Sequence, residues 1–224
     1  MKIELHTHCI GFSNCGRLSP EELVDLYCAK QYDVMVLTNH FNRIANQFYT
    51  DHGGKDFHRD YHECIRYTRK IAAEKGLLVL GGYELRFDEN ANDYLCFGMT
   101  EEFCSDLEWM YTQTAKSFGA AARENHFLFY QAHPFRNGLT VVQPEHLFGI
   151  EVQNTHPRHD SRNDIALAWA EKYNLRKIAG SDCHLPQDAG TSAIVTDYPV
   201  KEMCDLVHVL ENGLYTIVRE PQYD

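Results

Sequence analysis

The residues most able to do chemistry in this chain come as His6-Thr7-His8, closing an apolar run near the start. On a strand, residues two apart point the same way, so both imidazoles face one spot. The pattern repeats along the chain. Further strand-like segments end in Thr38-Asn39-His40, in Glu84, in His133-Pro134 and in Asp182-Cys183-His184. One such residue on a strand end is ordinary. Five strands ending in metal-competent side chains read as a single metal cluster. Imidazole plus carboxylate suits zinc, iron or manganese better than calcium or magnesium, which favour all-oxygen shells.

These residues need a scaffold that brings strand ends together. Strand character recurs at 2–6, 33–38, 77–84, 93–98, 127–132, 149–153 and 177–181, with a weaker stretch at 192–196. Helix patterns lie between most of them. The first is signed by Ser19 as N-cap, Pro20 at the first turn and Glu22 completing a capping box. Others are expected at 61–75, closed by Gly76, at 112–125, at 161–173, and at 199–212, closed by Gly213. Alternating strands and helices predict a parallel sheet with helical crossovers. Active sites on such sheets form at the C-terminal strand ends. Residues 41–59, holding four aromatics and Gly53-Gly54, read as a long irregular loop, either a lid or plain surface.

Composition bounds the function. The 224 residues carry 21 basic and 32 acidic side chains, a net charge of −11, which argues against an extended nucleic-acid surface. No apolar run is long enough for a membrane helix, and the polar start does not read as a signal peptide. Eight cysteines form no CxxC pair. Reduced thiols and a cytoplasmic location are the expectation. No linker or repeat divides the chain, so one domain over 1–224 is expected. The remaining histidines do not share the strand-end pattern. His58 and His62 read as a solvated helix face. His126, His146 and His208 read as surface or packing residues. His156 and His159, following the sixth strand, are minor candidates for substrate contact.

The ordered set HTH, TNH, GGYE, AHP and SDCH resembles the PHP (polymerase and histidinol phosphatase) superfamily of metallo-phosphoesterases, in order from Ile3 to about Thr196. The resemblance implies a distorted (β/α)7 TIM-like barrel that hydrolyses phosphate esters at a two- or three-metal site. It implies that His6, His8 and Asp182 hold the first ion. Glu84 would bridge to a second ion, also bound by His133, and His40 and His184 would hold a third. Catalytic work would fall to Glu84, Asp182 and His184. Two positions depart from the family pattern. Asp93 stands where a histidine usually opens the fourth strand. Cys15, before Gly16, takes the place of an Asp or His ligand of the third ion.

Two or three divalent zinc, manganese or iron ions would activate a shared water as hydroxide and neutralise a phosphoryl group. A small anionic phosphate ester is the expected partner. Arg17, Arg136, Arg158 and Arg162 follow strand ends or turns and can fork onto phosphate oxygens. Two alternatives stand: an amidohydrolase-like deaminase or amidase, which also opens with HxH, and a non-catalytic metal-binding module.

Overall fold

The structure is a computed structural model and describes residues 1–219. Its first strand, β1 (Lys2–Thr7), alternates Ile3 and Leu5 with polar residues and is buried over nearly its whole length. The capping box read from the sequence opens α1 (Pro20–Ala29): Glu22 N donates to Ser19 Oγ at 3.2 Å, and Ser19 N donates to Glu22 Oε2 at 2.8 Å. Two short strands follow, β2 (Val34–Leu37) and β3 (His40–Phe41).

The region expected to be an irregular loop contains two helices, α2 (Arg43–Asp51) and the start of α3 (Phe57–Ala73). The Asn42 side chain caps α2 by accepting from Ala45 N at 2.8 Å. The Gly53-Gly54 pair only separates the helices, and Gly53 takes a φ of 90°. The expected strand at 77–84 divides into β4 (Leu78–Gly81) and β5 (Tyr83–Arg86). Between them, a Cβ on Gly82 would sit 3.0 Å from both Thr38 Cγ2 and Val36 Cγ1, so the crossing tolerates no larger residue without movement.

Then come β6 (Asp93–Phe97), α4 (Leu107–Tyr111), α5 (Ala115–Glu124), β7 (Leu128–Gln131), β8 (Gly149–Asn154), α6 (Asn163–Lys172) and β9 (Arg176–Gly180). The described residues finish with β10 (Ser192–Val195), α7 (Met203–Asn212) and β11 (Thr216–Arg219). The final helix starts later than expected, and β11, pairing antiparallel with β10, was not foreseen.

The fold is mixed α/β. One sheet runs β11-β10-β1-β2-β4 and the other β3-β5-β6-β7-β8-β9. The parallel expectation holds for β1-β2, β2-β4, β3-β5, β7-β8 and β8-β9. It fails at β10, antiparallel to β1 and β11, and at β6, which is antiparallel to both neighbours. The reason at β6 is the short β5–β6 connection, too short for a helical crossover. The reversal brings Asp93, at the start of β6, beside Arg86 at the end of β5. Beyond the sheets, a parallel bridge joins Thr7 to Cys183, with His8 N donating to Cys183 O at 3.0 Å and Cys183 N to His6 O at 3.2 Å. The ends of β1 and β9 are thereby tied at the point where the cluster residues emerge. Ile3, Leu5, Val34, Val36, Leu95, Leu128 and Ile178 form an apolar cluster with Leu206, Val209 and Leu210 of α7. A larger cluster joins the other strand faces to α1, α3 and α5. No helix among the described residues is long and apolar enough to cross a membrane.

Candidate metal centre and arginine-lined cavity

Strand ends bring seven of the expected residues to one place. His6 and His8 come from β1 and its end. The parallel register pairs His40 with Glu84 across β3 and β5, and His40 Nδ1 stands 2.7 Å from Glu84 Oε2. His133 follows β7, and Asp182 and His184 follow β9. Glu84 Oε1 lies 3.1 Å from His6 Nε2 and 3.2 Å from His133 Nε2. Asp182 Oδ1 lies 3.4 Å from His6 Nε2 and 3.3 Å from His8 Nε2. The rings of His8 and His184 stack at 4.3 Å. His133 (φ 30°) and Asp182 (φ 53°) both hold left-handed backbone. Such geometry costs roughly 1–3 kcal/mol per residue and persists where the surroundings enforce it.

The donor set fits divalent metal ions. His6 Nε2, both ring nitrogens of His8 and His133 Nδ1 are buried without a hydrogen bond, and His40 Nδ1 and Glu84 Oε2, although 2.7 Å apart, do not meet at hydrogen-bonding angles. Such orphaned atoms are costly to bury unless something else takes their lone pairs. Two nitrogen or oxygen ligands each about 2.0–2.2 Å from one ion stand roughly 3.0–3.5 Å apart at octahedral or tetrahedral angles. The separations of 3.1–3.4 Å above fall in that range. Three groupings, His6-His8-Asp182, His6-Glu84-His133 and His8-His40-His184, each converge their ligand atoms.

The charges in the cluster hold one another. Burial would raise the Glu84 carboxyl, but His40 and His6 keep it well below the ordinary range. Asp182 likewise overcomes burial through His6, His8 and Arg136. Burial, with His184 and His40 beside it, keeps His8 neutral and able to offer a lone pair.

Several supporting residues were not read from the sequence. Glu151 on β8 receives His6 Nδ1 at 3.0 Å and His133 N at 2.9 Å. It therefore fixes the tautomer that points His6 Nε2 inward. Asn154 donates from Nδ2 to Glu151 Oε2 at 3.0 Å and to Asp182 Oδ2 at 3.3 Å. His184 Nδ1 donates to the Asp182 carbonyl at 2.9 Å. Gly180 is the close approach: a Cβ there would fall 2.4 Å from His6 Cβ. The available signal was a lone carboxylate followed by two amides in GIEVQN.

Cys15 reaches the cluster. Its Sγ is 3.3 Å from His40 Nε2. Burial alone would raise the thiol, but hydrogen bonds with His184 and His40 bring it down to about 5. Asp93 stands at the edge, its Oδ2 4.0 Å from His133 Nε2. Arg86, also not foreseen, clamps it with two bonds of 2.7 Å.

A cavity of about 400 Å³ opens over the cluster and is lined by Arg17, Arg86, Arg136 and Arg158, with His156 and His159. Arg136 is engaged on Ser161, Asn154 and Asp182. Arg158 forks onto Asp188. Arg17 is exposed and has no side-chain partner among the described residues. Arg162 is not brought into the lining; it bonds the Phe135 carbonyl and Asn137 instead. Cys183 is buried and its Sγ bonds the Leu185 carbonyl, a packing role. His62 overturns the solvated-face expectation, being only 6% exposed because α3 lays that face against Tyr83.

Similarity to known proteins agrees with this architecture. Residues 160–214 match the PHP-associated family model. A two-domain protein from Bacteroides vulgatus, containing a predicted PHP-like metal-dependent phosphoesterase, superposes with a TM-score of 0.71 at 21% identity. The match covers 98% of this chain and 64% of that one. The lesion-specific endonuclease PfuEndoQ from Pyrococcus furiosus superposes with a TM-score of 0.61 at 12% identity, over 96% of this chain and 57% of that one. An uncharacterized protein of Methanocaldococcus jannaschii is 25% identical over 205 residues, 87% of this chain and 70% of its own length. The fold is thus the PHP-like one. The resemblance read from the ordered motifs is borne out by that fold and by the family match over the C-terminal quarter.

Proposed function

We propose that this chain is a metal-dependent phosphoesterase acting on a small phosphate ester. One observation carries the reading: four arginines line the same cavity as the histidine–carboxylate cluster, in a chain of net charge −11. Guanidinium groups concentrated against that background suit an anionic ligand.

His6, His8 and Asp182 would hold one divalent ion and Glu84 and His133 a second, with Glu84 shared. Cys15, His40 and His184 would complete a third. The bound ions supply water activation and charge neutralisation at the phosphoryl group. The chain's own residues do the rest. Glu151 and Asn154 fix the orientation of His6 and Asp182. Arg17, whose side chain has no partner among the described residues, is the first arginine to reach a phosphate oxygen, and Nη1 of Arg136, which makes no bond among the described residues, is the second. His156, lowered to about 4 by burial despite Asp182 nearby, stays neutral at the cavity; its Nδ1 donates to the Asp182 carbonyl at 3.0 Å, which leaves Nε2 to accept from a hydroxyl of the ester's alcohol part. The Thr7–Cys183 bridge supports reading the two sheets as one seven-stave barrel, with β2/β3 and β4/β5 each counted as a broken stave.

A cavity of about 400 Å³ has room for a compact ester beside the cluster. The test is a substrate panel on the manganese-, iron- or zinc-loaded chain: phosphomonoesters, phosphodiesters, an oligonucleotide duplex, amides and aminopurines. Release of phosphate or alcohol from the small esters is expected. Turnover confined to amides or aminopurines would replace the proposal with the amidohydrolase reading, and cleavage of the duplex alone would replace the small ester.

A further inference from the structure

We propose that His58, His62 and Cys104 form a separate soft-metal site that holds one zinc ion and staples α3 to the turn at 101–104. The two histidines stand four apart on α3, so their rings share a face, with centroids 4.5 Å apart. Cys104 Sγ meets that face from the turn, 3.7 Å from His58 Nε2 and 3.8 Å from His62 Nε2. A sulfur about 2.3 Å and a nitrogen about 2.0 Å from one tetrahedral zinc stand roughly 3.5 Å apart, so each sulfur–nitrogen pair needs to close by only a few tenths of an ångström. All three ligand atoms lie within 4.8 Å of one another.

The surroundings prepare the donors. His62 Nδ1 stands 2.7 Å from the His58 carbonyl, which can only accept, so Nδ1 carries the hydrogen and Nε2 presents its lone pair. That carbonyl bond is the support metal-bound histidines commonly have. Tyr83 Oη, 2.7 Å from the same Nε2, gives way when the lone pair is taken. His58 Nε2 now donates to the Glu101 carbonyl at 2.8 Å. On binding it passes its hydrogen to Nδ1, and the Cys104 thiol releases one proton to solvent. His62 and Cys104 are buried, and the half-buried His58 gives the ion a way in. The site is distinct from the arginine-lined cavity, since Tyr83 and Glu84 are adjacent on β5 and point to opposite faces. Two imidazoles and a thiolate select zinc over the harder cations.

The test uses the full chain loaded with cobalt(II), in which a bound thiolate gives a sulfur-to-cobalt charge-transfer band. Cys15→Ala removes the thiolate of the other cluster. The band should persist in Cys15→Ala and vanish in Cys15→Ala/Cys104→Ala. Zinc counted by elemental analysis should fall by one ion per chain in Cys104→Ala, and equally in His58→Ala, whose half-exposed position leaves the core intact. Absence of the band from Cys15→Ala, its survival in the double variant, or an unchanged zinc count in His58→Ala would each overturn the site. None of these readouts depends on whether the arginine-lined cavity hydrolyses an ester.

Discussion

Arg136 and Asp182 divide one carboxylate between two tasks. Arg136 Nη2 donates to Asp182 Oδ2 at 2.7 Å, while Oδ1 of the same group faces His6 Nε2 and His8 Nε2 at 3.4 and 3.3 Å. Arg136 also reaches Asn154 Oδ1 at 2.6 Å, and Asn154 bonds Glu151. The arginine expected to grip phosphate is thus first a positioning residue for a candidate ligand.

It follows that Arg136→Ala weakens metal binding as well as turnover. Loss of an outer-shell partner typically costs ten- to a hundredfold in affinity or activity. Competition against a chelator should show a drop of that size, with Arg136→Lys recovering only part because lysine lacks the planar fork. Unchanged metal affinity in Arg136→Ala would return the residue to a pure substrate role.

Glu84→Gln keeps shape and removes the charge faced by His6, His40 and His133. The chain should fold, judged by circular dichroism, yet retain fewer ions per molecule and lose most ester hydrolysis. Full metal content at the parent rate would show that Glu84 is not shared between two ions.

Cys15 offers a chemical readout. With the thiol near 5, the metal-free chain carries a thiolate at neutral pH and should alkylate rapidly, slowing below pH 5. Metal loading should protect it if sulfur coordinates. Equal rates with and without metal would leave Cys15 outside the centre.

The buried Glu4 gives a pH signature. Burial outweighs its hydrogen bonds with Ser181, His6 and Tyr27 and pushes the carboxyl up to about 7. A folded value above the unfolded one means this stability is fully present below about pH 4.5 and lost as pH rises through 7. The change is about 3 kcal/mol at 1.36 kcal/mol per pH unit. Glu4→Gln, which mimics the neutral acid, should therefore match the parent near pH 4.5 and melt higher at pH 8. An equal melting difference at both pH values would contradict the assignment.

The centre was legible in the sequence because strand ends are local features. HTH, TNH, GGYE, AHP and SDCH each stand at or just past a strand end, and the structure gathers all seven residues. What was not legible is tertiary. Glu151 meets His6 across 145 positions of chain, and nothing local distinguishes it from a solvated strand carboxylate. Arg86 pairs with Asp93 only because β6 runs antiparallel, and a hairpin between parallel-paired strands leaves little trace in periodicity. Helix α2 was hidden because its aromatics and the neighbouring glycines resemble a loop, whereas its stability comes from the Asn42 cap and packing on α3.

The most direct test of the central claim is phosphate release from a simple phosphomonoester, measured on one preparation before chelation, after chelation and after return of manganese, iron or zinc. Activity is expected in the first state, loss in the second and recovery in the third, with at least two ions per chain in the cavity cluster when active. A fully reloaded chain that releases no phosphate, or a stripped chain that releases it undiminished, would contradict it.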